Sequence, residues 1–234
     1  MSPLDRSSLL SHLRADMAAF GDCLEGDLGR SVAACPGWDL AALATHLGRV
    51  HLWAVAALSS IDEPAYPPRP STAPLATWYT ASSATLLAEL SARDPRQPCW
   101  SLWPPGVTEF WVRRQAIETA VHRWDAQTAL GRAATIDVAL AADGVGEVVD
   151  VMFPRQVAMG RQADLAVALE LRAASDAWVV GTGVDGRATL TAEAPLLLLL
   201  LWKRLTLDDV LAAGGRLVGP RPVAERVLAA ALTP

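Results

Sequence analysis

The chain has 234 residues, 52% of them hydrophobic and 19% charged, with Gly and Pro at 16 each, which excludes a disordered or fibrous protein. Its net charge is −5 and Lys203 is the single lysine among 20 basic residues, so there is no broad polybasic surface; neither nucleic acid nor a membrane is expected as a partner. Three cysteines (Cys23, Cys35, Cys99) show no pairing motif, and the N-terminus lacks a basic segment followed by an apolar core, so a reduced, cytoplasmic protein is expected.

Four amphipathic or apolar segments come first. Asp5 predicts a cap for a helix over 6–26 with Leu9, Leu10, Leu13, Met17 and Phe20 on one stripe. A Pro36-Gly37 turn precedes Asp39, which caps a second helix to about Ser60. A Pro-rich stretch from Glu63 to Pro74 leads to a third helix over 75–92, and a second Pro-rich loop from Asp94 to Gly106 to a fourth, opened by Thr108 or Glu109 and stopped by Gly131. Beyond it the texture changes. A helix over 138–159 is expected to end or kink at Pro154, and alternation over 166–173 predicts a half-buried strand. Short strands over 177–181 and 187–191 are joined by the turn Val184-Asp185-Gly186. The apolar run Ala194–Trp202 is nine residues, far short of the ~20 that cross a bilayer, and reads as a buried helix. Helices over 207–213 behind Thr206 and over 222–232 complete the chain. The predicted organisation is a helical bundle over residues 1–131 and a small α+β domain over 138–234.

Only four histidines occur, so each position is informative. Glu118 and His122 are four apart on the fourth helix, one turn along the same face, a spacing that suits two metal ligands and equally a solvated or core-bonded pair. His46 on the second helix shares a face with Leu43, Val50 and Trp53, while His51 points about 140° away; both lie in apolar surroundings, which do not choose between them. His12, beside Arg14 and Asp16, is expected to face water. A set of His46, Glu118 and His122 would leave a coordination position of a Zn²⁺-like ion open for chemistry, against a structural reading of all three. Trp53, Trp100, Trp103 and Trp111 suit either core or a pocket wall, and Cys35 in its Pro-Gly turn reads as structural.

Two blocks, Ala34-Cys35-Pro36-Gly37-Trp38-Asp39 with Leu43-Ala44-Thr45-His46-Leu47-Gly48, and Phe110-Trp111-Val112-Arg113-Arg114 with Glu118 through Ala126, resemble the mycothiol-dependent maleylpyruvate isomerase family, a branch of the DinB-like bundles. The leucine-rich segment ending in Trp202, with Arg204, is similar to that family's C-terminal domain. The resemblance implies a DinB-like four-helix bundle followed by a small α+β domain, and a divalent metal, zinc, held by His46, Glu118 and His122. It also implies a substrate carboxylate held by Arg204, and mycothiol as a low-molecular-weight thiol cofactor or cosubstrate in an actinobacterial enzyme, monomer or homodimer. The implied chemistry is addition of the thiolate to a small electrophile, either cis-trans isomerisation or S-transfer, two outcomes that the shared ligand trio does not separate. A non-catalytic small-molecule-binding or regulatory protein on the same fold is the alternative. Family members commonly carry His where Ile117 stands and Met where Gln115 stands, so the pocket wall is expected to differ while the ligands remain.

Overall fold

The computed structural model describes residues 4–70 and 73–233, so residues 1–3 and 234 at the ends of the expected domains, and 71–72 in the Pro-rich connection, lie outside the described residues. The chain divides into two compact units, Leu4–Ile136 and Asp137 onward.

The first unit is four helices: α1 (Arg6–Cys23), α2 (Leu40–Ala57), α3 (Leu75–Ala92) and α4 (Thr108–Ala129). Two starts are fixed by side chains. Asp5 Oδ1 accepts from the Ser8 amide and Asp39 Oδ1 from the Ala42 amide, each at 2.8 Å, satisfying donors that the first helical turn leaves free. α1 and α2 each stop three residues before their expected ends, and Gly131 at φ 67° turns the chain out of α4. α1 packs on α4 and α2 on α3. Leu40, Leu43, Leu47, Phe20 and Tyr79 are buried in a common core, with the Phe20 and Tyr79 rings 4.8 Å apart. At Gly48 the two helices come so close that an added Cβ would sit 2.5 Å from the Trp78 ring.

The second unit opens with α5 (Val138–Glu147), a π-helical turn (Val148–Met152) and α6 (Phe153–Ala158). Pro154 therefore does not end the helix. The Phe153 amide donates to the Val148 carbonyl, five residues back, and this slip lets the helix run through a residue that lacks an N–H. Strands β1 (Ala168–Ala173), β2 (Asp176–Val180), β3 (Arg187–Thr191) and β4 (Arg216–Val218) form one sheet in the order β2-β1-β3-β4. Although a short turn region connects β2 and β3, they do not pair; each flanks β1, antiparallel with Leu171 opposite Trp178 on one side and parallel with Leu171 opposite Leu190 on the other. β4, unanticipated from the sequence, extends the far edge against β3. α7 (Ala194–Leu201) buries Leu197 through Leu201 and packs on α5 and β1, while α8 (Leu207–Ala212) begins in a capping box between Thr206 and Asp209. α9 (Arg221–Ala229), three residues shorter at its end than expected, packs on β1 and β3. Among the described residues no helix is long and apolar enough to cross a membrane.

Candidate metal centre

α2 and α4 face each other across the bundle, and that pairing brings His46 to Glu118 and His122. Glu118 Oε1 lies 3.4 Å from His46 Nε2 and 3.1 Å from His122 Nε2, with the two imidazole rings 5.2 Å apart and edge-on. Donors placed 2.0–2.1 Å from a tetrahedral ion stand about 3.3 Å apart, a spacing that these two separations match. The trio is graded in exposure, His46 at 30% against Glu118 at 11% and His122 at 6%, and so opens on the His46 side.

The neighbours of the trio decide which atoms face inward. Arg114, one turn before Glu118, pairs with Oε2 and leaves Oε1 to the histidines. Burial opposes a charge on Glu118, yet Arg114, His122 and His46 outweigh it and hold the carboxyl well below the usual range. Asp125, with its side chain fully buried, accepts from His122 Nδ1 at 3.0 Å, which fixes the ring so that Nε2 is the atom presented to the centre. Burial likewise disfavours the imidazolium of His122, but its place between Glu118 and Asp125 pushes it up to about 9. Carboxylates on both sides of His122 thus favour a positive charge on its ring.

His51 does not join them. It is buried with Nδ1 3.2 Å from Ser83 Oγ and Nε2 3.2 Å from Thr119 Oγ1, and burial pushes it down to about 3, so it is a neutral core histidine satisfied by two hydroxyls. His12 is partly buried on α1 rather than fully in water. Trp53, Trp100 and Trp111 pack against one another with centroids 5.0 to 5.9 Å apart, and the Trp111 indole donates to the Trp100 carbonyl at 2.7 Å, a core role for these rings. Cys35 is closer to the centre than its turn suggested: its Sγ, a ring nitrogen of His122 and a carboxylate oxygen of Asp125 lie within 4.8 Å of one another. Arg204, in the second unit, donates from Nη1 to the Trp202 carbonyl at 2.7 Å and lies 5.5 Å over that indole. Gln115 and Ile117 are fully buried on α4, and among the described residues neither amide atom of Gln115 has a partner.

Arg114 and Asp125 escaped the sequence reading. Both stand at the helical spacing of three or four from a candidate ligand, which was the available signal.

The family model described as the mycothiol maleylpyruvate isomerase N-terminal domain matches residues 10–127, half of the chain. The chain belongs to this family. The matched stretch contains His46, Glu118 and His122, on α2 and α4. Among solved structures, the crystal structure of the mycothiol-dependent maleylpyruvate isomerase aligns with a TM-score of 0.62 over 86% of this chain and 91% of that one, at 13% identity. A histidine-to-alanine mutant of that isomerase aligns over the same shares with a TM-score of 0.59 at 15% identity. At these identities the likeness establishes the fold, a helical bundle followed by an α+β part. No curated protein matches the chain.

Proposed function

We propose that this chain is a metal- and mycothiol-dependent enzyme that acts on a small electrophilic acid, with His46, Glu118 and His122 holding one zinc-like ion. The observation that carries the reading is the convergence of three donors at ligand spacing within the family's own domain. A divalent ion held there supplies a Lewis acid that lowers the pKa of a thiol at its open position. Mycothiol, when bound, would supply a thiolate able to add reversibly to an electron-poor cis double bond.

The protein's own contribution is to bind and orient. Arg114 keeps Glu118 ionised, Asp125 fixes the His122 ring with Nε2 facing the other two residues, and Glu118 and His122 are buried while His46 is the more exposed. Isomerisation is the chemistry we favour over S-transfer, because the family description and both structural relatives carry that activity in their names.

Two measurements test this. The purified protein is expected to carry close to one zinc per chain, and His122→Ala to lose most of it. Incubation with mycothiol and maleylpyruvate is expected to give isomerised product without a stable thioether. A protein that stays metal-free when zinc is offered would overturn the reading, and accumulation of the thioether would replace isomerase with transferase.

A further inference from the structure

His46, the exposed member of the trio, borders a cleft of about 340 Å³, at the small end of small-molecule sites. His46 is part of its wall, together with Trp38, Thr45, Arg49 and Tyr66. The Trp38 ring lies 5.0 Å from that of His46, and the Tyr66 hydroxyl donates to the His46 carbonyl at 3.4 Å, so both aromatic walls are tied to the candidate ligand.

Arg49 stands one turn after His46 on α2. Its guanidinium is held in place twice: Nε donates to the Pro67 carbonyl at 2.6 Å, and the group lies 4.1 Å over the Tyr66 ring. These contacts fix one edge and one face of the fork. Nη1 and Nη2, the pair that binds carboxylates bidentately, have no partner among the described residues, and no carboxylate lies within ion-pair distance. Arg93 and Arg123 of the bundle differ in this respect. Arg93 is engaged by Glu89, Ser59 and the Leu58 carbonyl, and Arg123 by Asp16, Gln127 and the Thr135 carbonyl. Arg49 is therefore a pre-positioned cation with its recognition edge unused, in the same cleft as the exposed member of the metal trio.

We propose that Arg49 is a carboxylate-binding residue, additional to the expected Arg204, and selects acidic substrates at this cleft, with Tyr66 and Pro67 as the residues that position it. This deepens the functional reading above and rests on it for the identity of the site, but the contacts that fix Arg49 come from the protein alone. The ligand chemistry is a short mono- or dicarboxylic acid whose far end reaches toward His46.

The test uses the full chain, zinc-loaded and metal-free, titrated calorimetrically with succinate, which has no double bond for a thiol to attack, and with its diamide. Wild type is expected to prefer succinate. Arg49→Met should weaken succinate binding by about tenfold to a hundredfold, the range of a charge-assisted contact, without changing diamide affinity or zinc content. Arg49→Lys should restore part of the preference, which a purely structural role for the side chain would not predict. Equal succinate affinity in wild type and Arg49→Met, or no preference for the acid in wild type, overturns the proposal. Zinc content is read separately on the same samples, so failure of the metal reading is distinguishable from failure of this one.

Discussion

Replacing His51 by Gln should remove a specific pH dependence from the stability of the bundle. His51 is neutral in the folded protein because burial pushes it down to about 3, whereas in the unfolded chain an imidazole titrates near 6.5. Above pH 6.5 neither state binds the proton. As pH falls through 6.5 the unfolded state takes it up and the folded state does not, so stability is lost progressively until about pH 3. The full span corresponds to about 5 kcal/mol, as an upper bound, and the part between about pH 7.5 and pH 5.0 to about 2 kcal/mol. Urea unfolding followed by tryptophan fluorescence at these two pH values, on wild type and His51→Gln, measures the difference. The carboxylates titrate alike in both proteins and cancel. Gln costs stability at both pH values by disturbing the contacts to Ser83 and Thr119, but it should lose ~2 kcal/mol less than wild type on acidification. Equal losses would refute the assignment of His51 as a buried neutral core residue.

Two further outcomes follow from contacts around the centre and the helix crossing. Asp125→Ala removes the group that fixes the His122 ring and should reduce zinc affinity about 10–100-fold in competition with a chelator; unchanged affinity would show that the ring is oriented by other means. Gly48→Ala places a Cβ 2.5 Å from the Trp78 ring and should destabilise the bundle by about 1–3 kcal/mol in urea unfolding, with an unchanged midpoint refuting the close approach.

What was legible in the sequence was local. Helix starts at Asp5, Asp39 and Thr206 are readable because the capping side chain and the amide it serves are three residues apart. The sheet order was not, since the alternation in β2 and β3 reveals strands but not partners, and the insertion of β1 between them depends on the long-range pairing of Leu171 with both Trp178 and Leu190. β4 has three residues with only its middle one turned inward, too short for any period to show. At Pro154 the expectation of an end or a kink followed from the missing donor; the helix does not end there but passes through a π-helical turn just before it.

The site divides along the same line. Glu118 and His122 share a face by helical spacing alone, but between His46 and His51 only the family resemblance chose, and the physical difference lies on the neighbouring helices: hydroxyls from Ser83 and Thr119 meet His51, and a carboxylate meets His46. A hydroxyl can donate or accept and so satisfies a neutral ring, whereas the carboxylate calls for a proton or an ion beside it. Arg114 and Asp125 stand at helical spacing from Glu118 and His122, but spacing alone does not tell a buried partner from a solvated charge. Gln115 lies two turns before His122 on that face, fully buried with its carboxamide unmet among the described residues. Such a group costs about 1–3 kcal/mol where an apolar residue would cost nothing. With Glu118 and His122 it gives this face of α4 a stripe of buried polar side chains.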